Sequence, residues 1–193
     1  SHGQHFIQEA IDNGATIILK HGNSLQVKTF AHSPKHMITE VILPQLPERL
    51  SELAGHYYQN PSSEMFLTAV TGTNGKTSIC HLLAQAWKYL GLNSGVLGTL
   101  GYGPLSNLEP SHLTTPMAIE LQALLHKYQS EQISHLALEA SSHALTQHRL
   151  QALELNVAIF SNLSQDHLDY HQNLMAYGDM KCRLFCKHSV KHH

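Results

Sequence analysis

The chain has 193 residues, of which 42% are hydrophobic and 13% are charged, and its formal net charge is -2. This balance is typical of a soluble globular protein and lacks the basic excess of nucleic-acid-binding proteins. The three cysteines form no CxxC pair, so they favour neither a disulfide framework nor a thiolate zinc site. No apolar run reaches the about 18 residues of a membrane span, and no signal pattern opens the chain. We therefore expect a cytoplasmic monomer with no nucleic-acid partner and no membrane insertion.

The first third of the chain predicts a small α/β unit. A short helix followed by a strand is expected over residues 5–19, and a second strand over Met37 to Leu43. Apolar residues recur at helical spacing from Pro47 to Tyr58. The breaker cluster at residues 60–63, Asn-Pro-Ser-Ser, predicts a domain boundary after residue 60.

From Glu64 onward, predicted strands and helices alternate. Strands are expected over residues 66–70, 95–100, 133–138 and 157–160, and helices over 78–90, 144–153 and 174–187. A further helix is expected to open at Thr115-Pro116, with threonine as N-cap and proline in the first turn, after a loop over 101–113. This alternation predicts an α/β fold with a mostly parallel sheet, of the P-loop ATPase kind, that binds ligands beyond the carboxyl ends of its strands.

The strongest local motif is Thr-Gly-Thr-Asn-Gly-Lys-Thr at residues 71–77, between a predicted strand and an amphipathic helix. Glycines allow several backbone N–H groups to converge on one anion, and the helix N-terminus adds partial positive charge. Lys76 would reach the β/γ-phosphates of a nucleotide, and the Thr77 hydroxyl would ligate Mg²⁺. The motif is a variant, because Val70 occupies the usual first glycine position. A plain glycine turn before a surface lysine is the alternative, but the strand–helix context favours ATP or another nucleoside triphosphate.

Polar residues follow two other predicted strands. Glu139 ends one strand, where a carboxylate beside a P-loop strand can hold Mg²⁺, although a capping or solvated glutamate would look the same. A polar run over residues 161–171 follows another strand, and its His167 and His171 are spaced as a zinc pair would be. Zinc is disfavoured, because the HExxH glutamate and a third ligand at a familiar spacing are absent. From the residue pattern alone, Lys181 is a lysine on a predicted amphipathic helix, with no further functional signal.

Together these motifs resemble the Mur ligase family, MurE type. The similar segments are residues 71–77, Thr114-Thr115-Pro116, the run 139–149 (EASSHALTQHR) and the run 162–171 (NLSQDHLDYH). The first segment is also similar to folylpolyglutamate and cyanophycin synthetases, whereas the Ser-Ser-His…Gln-His-Arg run is typical of the MurE type. The resemblance covers about residues 45–190 well and residues 3–45 loosely.

The resemblance implies an ADP-forming ligase of peptidoglycan synthesis. Such enzymes add a diamino acid, meso-diaminopimelate or L-lysine, to UDP-MurNAc-L-Ala-D-Glu through an acyl phosphate, with ATP and Mg²⁺. Residues 1–60 would be part of an N-terminal UDP-substrate domain, and residues 61–193 the first part of the central ATP-binding domain. The C-terminal domain would be absent, so we expect the chain alone to be inactive.

The resemblance also implies residue roles. ATP would be bound by Gly72, Thr73, Asn74, Gly75, Lys76, Thr77 and Ser78. The UDP-linked substrate would be contacted by Thr114, Thr115, Ser141, Gln147 and Arg149. The metal site would comprise Thr77, Glu139, His167 and Lys181, the last if carbamylated, and the catalytic residues would be Lys76, Lys181 and His167. Leu113 stands where related sequences often have a polar residue, and Ser78 replaces a common threonine.

Two other functions fit the same sequence. One is a P-loop fragment that binds nucleotide without turnover, and the other is a ligase of the folylpolyglutamate synthetase kind. A lysine substitution in the P-loop separates enzyme from binder, and the acceptor substrate separates the two ligases.

Overall fold

A computed structural model describes residues 2–33, 36–164 and 174–186 of the chain. Its contacts divide the chain into two compact units, residues 1–48 and 49–193. This division falls before the boundary predicted after residue 60, because most of the intervening helix packs with the second unit. The family-based domain limits stay a prediction. In the described parts of the chain, no helix combines the length and the apolar character that a membrane crossing requires.

The first unit is a short helix followed by a three-stranded sheet. Its elements are a 3-10 turn His2–Phe6, α1 Ile7–Asp12, β1 Ile17–His21, β2 Gln26–Ser33 and β3 His36–Leu43. The strand order is β1-β3-β2, with β1 parallel and β2 antiparallel to β3. Sequence reasoning missed β2, because both of its faces are exposed and its residues show no burial alternation.

The second unit is built on a five-stranded sheet. Its strands are β4 Phe66–Thr71, β5 Ser94–Gly98, β6 Gly101–Gly103, β7 His135–Glu139 and β8 Val157–Phe160. Its helices are α2 Leu46–Tyr57, a 3-10 turn Pro61–Glu64, α3 Lys76–Tyr89, α4 Ala118–Ser130, α5 Ser142–Thr146 and α6 Leu174–Cys186. The strand order is β6-β5-β7-β4-β8, in which only β6 is antiparallel. The predicted α/β class with a mostly parallel sheet is confirmed.

Helices cover both faces of this sheet, as the alternation of its buried residues shows. Leu67 of β4 and Leu136 of β7 belong to one core cluster, which includes Leu121 of α4. Val70 of β4 and Ala137 of β7 belong to the other, which includes Cys80 and Ala84 of α3. Successive strand residues point to opposite faces of the sheet. Because both faces are covered here, the sequences of these buried strands are nearly continuous apolar runs.

Three predictions of local structure were wrong. The helix expected to open at Thr115-Pro116 begins instead at Ala118, after an extended Met117. The helix expected over 144–153 spans only Ser142–Thr146, because His148 has a left-handed backbone with a φ of 55°. The loop expected over 101–113 contains β6, which pairs with β5 as a hairpin. In addition, α3 begins at Lys76, two residues before the predicted Ser78.

A buried serine ties α2 to the segment after α5. Ser51 is fully buried, and its hydroxyl donates to Arg149 O (3.1 Å) and accepts from Ala152 N (3.2 Å). Ser51→Ala would leave a buried carbonyl and a buried N–H without this partner. We expect a loss of about 1–3 kcal/mol in the free energy of unfolding, measured by urea denaturation. Ser130→Ala removes an exposed hydroxyl bonded to Lys127 O within its own helix and should change the unfolding free energy much less; equal losses would contradict the prediction.

Candidate active site

The motif at residues 71–77 forms the turn between β4 and α3. Gly72 (φ 139°) and Gly75 (φ 84°) both adopt conformations that favour glycine. Gly75 is the N-cap of α3, and the first helical bond of this turn runs from Ile79 N to Gly75 O at 2.9 Å. The N–H groups that open a helix have no acceptor within it, so the start of α3 has the backbone character of an anion-binding site.

Lys76 folds back over the turn at residues 71–77, which is called the P-loop or phosphate loop below. Its Nζ donates to Gly72 O and to Thr73 O, each at 2.9 Å. These bonds hold the ammonium group at the loop, where its charge and that of the α3 N-terminus act on the same space. Lys76 is thus placed as a cation beside the site of an anion.

A buried carboxylate stands beside the phosphate loop at the neighbouring strand end. Glu139 ends β7, pairs in register with Val70 of β4, and is only 1% exposed. Its Oε1 accepts from the Thr77 hydroxyl (2.8 Å) and from Thr99 N (2.9 Å), and its Oε2 accepts from the Thr99 hydroxyl (3.3 Å). A buried carboxylate requires such donors, because burial without them is costly.

Gly98 and Thr99 are site residues that the sequence analysis missed. Gly98 ends β5, and a Cβ atom there would lie 2.2 Å from Glu139 Oε1, so only glycine leaves room for the carboxylate. Thr99 follows at once and supplies two of the three hydrogen bonds to that carboxylate. The signal was present, since Thr99 is a polar residue at the carboxyl end of a strand. The predicted strand over 95–100 concealed it.

Thr114 and Thr115, the Thr-Thr pair, also contact Thr99 and Glu139. The Thr114 hydroxyl lies within hydrogen-bonding distance of the Thr99 hydroxyl, at 3.2 Å. The Thr115 hydroxyl donates to Glu139 O (2.6 Å) and also contacts the Ser141 hydroxyl and N–H, at 3.1 and 3.2 Å. Thr115 therefore serves a tertiary contact and not the helix cap predicted for it. Ser141 itself caps α5, because its hydroxyl accepts from Ala144 N (3.2 Å).

Tyr102 fixes the loop that carries the Thr-Thr pair. Its hydroxyl donates to Leu113 O, directly before Thr114. Burial raises the pKa of Tyr102 to about 12, and the charge of Glu120 adds to the effect. Tyr102 therefore stays a neutral donor at physiological pH. The side chain of Leu113 departs from the family pattern, but its backbone carbonyl accepts this hydrogen bond and so holds the loop.

Arg149 is almost buried, at 7% exposure, and its guanidinium is held by its neighbours. Nε and Nη2 donate to Gln147 Oε1 at 3.0 and 2.6 Å, and Nη1 donates to Thr115 O at 2.5 Å. Gln147 thus orients Arg149, and Arg149 in turn fixes the backbone of Thr115. The guanidinium presents a fixed cation to the space beyond the Thr-Thr pair.

Lys181 of α6 reaches the same loop and is 1% exposed. Its Nζ donates to Gly72 O at 2.9 Å and lies 4.2 Å from the centroid of the Tyr177 ring. An ammonium group over an aromatic face is a favourable arrangement. The lysine that sequence reasoning could describe only as a residue on an amphipathic helix is therefore a buried cation beside the P-loop.

One cavity of about 430 Å³ collects most of the predicted site residues. Those that line it are Thr73, Asn74, Gly75, Lys76, Thr77, Thr114, Thr115, Glu139, Ser141, Arg149 and Lys181. Gly72 and Gln147 contact lining residues, and Ser78 lies in the first turn of α3. The predicted metal ligand and catalytic residue His167, with the alternative zinc pair His167 and His171, lies outside the described residues.

The cavity is suited to a metal held partly by its substrate. Among the described residues, no three His, Cys, Asp or Glu side chains are grouped as metal ligands. Thr77 and Glu139 instead offer two adjacent hard oxygen donors, which is what Mg²⁺ uses when nucleotide phosphates and water complete its shell. Behind them, burial raises the pKa of the Cys80 thiol, and the Glu139 charge raises it further, so Cys80 is a neutral core residue.

Comparison with known proteins agrees with this geometry. The Mur ligase middle domain matches residues 70–192. The chain is 43% identical over 190 residues to UDP-N-acetylmuramoyl-L-alanyl-D-glutamate--2,6-diaminopimelate ligase of Wigglesworthia glossinidia brevipalpis, and 42% identical over 194 residues to that of Blochmanniella floridana. These alignments cover 98% and 99% of this chain but only 38% and 39% of the relatives.

Solved structures give the same result. A ligase structure of the same name has a TM-score of 0.77 and 37% identity, and the match covers 95% of this chain and 35% of that one. The MurF ligase of Thermotoga maritima in complex with ADP has a TM-score of 0.62 at 18% identity, which shows a shared fold. With its middle-domain match and its parallel sheet carrying the motif at residues 71–77, the chain belongs to the Mur ligase family.

Proposed function

We propose that this chain supplies the phosphate-binding and acceptor-activating part of an ATP-dependent ligase that adds 2,6-diaminopimelate to UDP-MurNAc-L-Ala-D-Glu. The single observation that carries the proposal is the shared cavity of the P-loop, Glu139 and the Thr-Thr pair. The names of the most similar relatives favour diaminopimelate over L-lysine. The expected setting is peptidoglycan precursor synthesis by a cytoplasmic enzyme.

The proposed reaction has two steps. The acceptor carboxylate attacks the γ-phosphorus of ATP, and the bond from that phosphorus to the β,γ-bridging oxygen breaks, giving an acyl phosphate and ADP. The amine of the diamino acid then attacks the acyl carbon, phosphate leaves, and the amine loses a proton to form the amide. Both reactants of the first step are anions, so its rate depends on neutralisation of their charge.

In the proposed reaction, the cations of the site perform that neutralisation. Lys76 and the N–H groups of residues 75–78 bind the phosphates, and Arg149 attracts the anionic acceptor. Thr77 and Glu139 would hold Mg²⁺, which would supply positive charge to the phosphate oxygens. Lys181, if carbamylated, orients that ion, and His167 is assigned to a second metal by the family resemblance. Thr114, Thr115, Ser141 and Gln147 position the acceptor directly or through Arg149.

Lys76→Ala tests whether the P-loop serves turnover. In a ligase of full family length carrying this chain, we expect the substitution to lower kcat/KM for ATP by at least about a hundredfold, since one preorganised cation is lost from the transition state. The measurement is ADP release that depends on UDP-MurNAc-L-Ala-D-Glu and diaminopimelate. Lys88→Ala, on the exposed far end of the same helix, is the matched control and should leave the rate unchanged.

The outcomes of this assay separate the competing functions. ATP binding without acceptor-dependent ADP release would favour a non-catalytic nucleotide-binding protein. Turnover with a folate acceptor in place of the muramoyl dipeptide would favour a ligase of the folylpolyglutamate synthetase kind, whose fold is shared by a solved example at a TM-score of 0.54. Turnover retained in Lys76→Ala would contradict the assigned role of the loop.

Gly98→Ala tests whether the proposed metal binding depends on the position of the Glu139 carboxylate. The added methyl group would lie 2.2 Å from Glu139 Oε1, so the carboxylate must move away from Thr77. We expect kcat to fall by about tenfold or more and the Mg²⁺ concentration for half-maximal rate to rise. Glu139→Ala removes the colliding group, so adding Gly98→Ala to that variant should cost no further unfolding free energy. A further loss of stability in the double variant would show that another contact excludes the methyl group.

Arg149→Lys tests the acceptor side. Lysine keeps a positive charge but cannot donate from a planar fork to Gln147 and Thr115 together. We expect KM for UDP-MurNAc-L-Ala-D-Glu to rise by about tenfold, while KM for ATP changes little. Steady-state kinetics with each substrate varied in turn provide the measurement. A rise confined to KM for ATP would contradict the placement of Arg149.

A further inference from the structure

The P-loop is held from outside by the residues that follow β8. Parallel pairing of β4 and β8 ends at Thr71 and Phe160, and Ser161 N extends it by donating to Thr71 O at 2.9 Å. Ser161, Asn162 and Ser164 then run beside the loop, and these three residues are called the β8 clasp below. Because the clasp continues β8, which is paired with β4, its position relative to the loop is set by the sheet.

Asn162 is bonded to the loop through three groups. Its carbonyl oxygen accepts from Thr73 N at 2.9 Å. Its side chain pairs with both polar backbone groups of Asn74: Oδ1 accepts from the N–H, and Nδ2 donates to the carbonyl, each at 3.0 Å. The side-chain amide of Asn162 therefore pairs with the backbone of Asn74 as a peptide group of a neighbouring strand would. Only an uncharged side chain with one donor and one acceptor can make both bonds.

The serines of the clasp support the same stretch of loop. The Ser161 hydroxyl donates to Asn74 O at 2.7 Å. Ser164 N donates to the Thr73 hydroxyl at 3.0 Å, and that hydroxyl lies 3.1 Å from Ser164 O, to which it donates. Glycine suits position 72 because its φ of 139° is one that other residues rarely adopt, and a Cβ atom there would lie 1.9 Å from the Ser161 hydroxyl oxygen.

These bonds divide the loop into two parts. The N–H groups of Thr73 and Asn74 are used to hold the loop to the clasp, so they are not the donors that face a phosphate. The N–H groups that open α3 have no acceptor within the helix, and this helix start is the part of the loop proposed to face the anion. An anion site built from backbone groups binds well only when those groups are already aligned, because ordering them on binding would cost free energy.

We propose that Asn162 is a positioning residue for ATP, which acts through Asn74 to hold the P-loop in its phosphate-binding shape. The proposal rests on the proposed ATP-dependent function. Asn162 itself is exposed, and the bonds described above join it to the backbone of Thr73 and Asn74 and not to Lys76, Thr77 or Glu139. If the clasp only stabilised the fold, its loss would lower stability without acting on one substrate.

Asn162→Ala is the decisive variant, because it removes both side-chain bonds and leaves the backbone bond to Thr73 in place. In the full-length ligase we expect KM for ATP to rise by about tenfold, and the inhibition constant of inorganic pyrophosphate, as a competitor of ATP, to rise by a similar factor. The KM values for the muramoyl dipeptide and for diaminopimelate should stay within about twofold of wild type. Ser161→Ala, which removes one bond to Asn74 O, should raise KM for ATP by less.

Asn93→Ala is the matched control. Asn93 is also exposed, and its Nδ2 donates to a backbone carbonyl, that of Gln132, at 3.2 Å. Its loss should affect stability to a similar extent and leave every KM unchanged. An Asn162→Ala enzyme whose KM for ATP matches that of Asn93→Ala would overturn the inference, as would an equal rise in all three KM values. If Asn162→Ala does not fold, the same comparison is made with Ser161→Ala, and an unchanged KM for ATP there also overturns it.

The same assays keep the two proposals apart. Loss of ADP release in Lys76→Ala with normal kinetics in Asn162→Ala would refute the role of Asn162 alone. A wild-type ligase without acceptor-dependent ADP release would refute the proposed function itself.

Discussion

The arrangement of the site depends on one buried carboxylate. Glu139 is withdrawn from water, and its charge is compensated by the hydroxyl of Thr77 and by the N–H and hydroxyl of Thr99. An isolated ionised carboxylate in such a place would cost many kcal/mol, so these three donors are a condition of the fold and not an addition to it. The donors come from the ends of two strands, β5 and, through α3, β4, which lie on either side of β7 with its Glu139, and they can reach the carboxylate only if the sheet has its observed order.

That condition also connects the two halves of the proposed reaction. On one side of Glu139, Thr77 belongs to the phosphate loop. On the other, Thr99 contacts Thr114, and the main-chain carbonyl of Glu139 accepts from Thr115. A shift of β7 along its neighbours would therefore disturb the nucleotide side and the acceptor side together. Two anionic substrates that must react with each other are expected to share such a rigid support, because small errors in their separation are costly in rate.

The sequence predicted those features that are encoded locally. The motif at residues 71–77 contains its own glycines, lysine and helix start, and Glu139 follows an apolar strand directly. The role of Thr115 was mistaken, because a threonine before proline has a local use as a helix cap that a distant partner overrides here. Gly98 carried no local signal, and Asn162 was noted only within a polar run after a strand and within a family-like segment, not as a partner of the P-loop. Their importance comes from atoms 41 and 88 positions away in the chain, Glu139 and Asn74, which only the folded sheet brings near.

The two lysines of the site show how the loop is prepared for negative charge. Lys76 and Lys181 each place Nζ 2.9 Å from the same oxygen atom, that of Gly72. Two ammonium groups converging on one carbonyl repel each other, and the repulsion is weakly screened because Lys181 is 1% exposed. A phosphate bound at the P-loop, as proposed, would relieve it by adding an anion near both lysines. Carbamylation of Lys181, the modification proposed from the family resemblance, relieves it by replacing one cation with an anion. The proposed nucleotide binding and the proposed modification of Lys181 would therefore act in the same direction, since each reduces the positive charge beside Gly72 O.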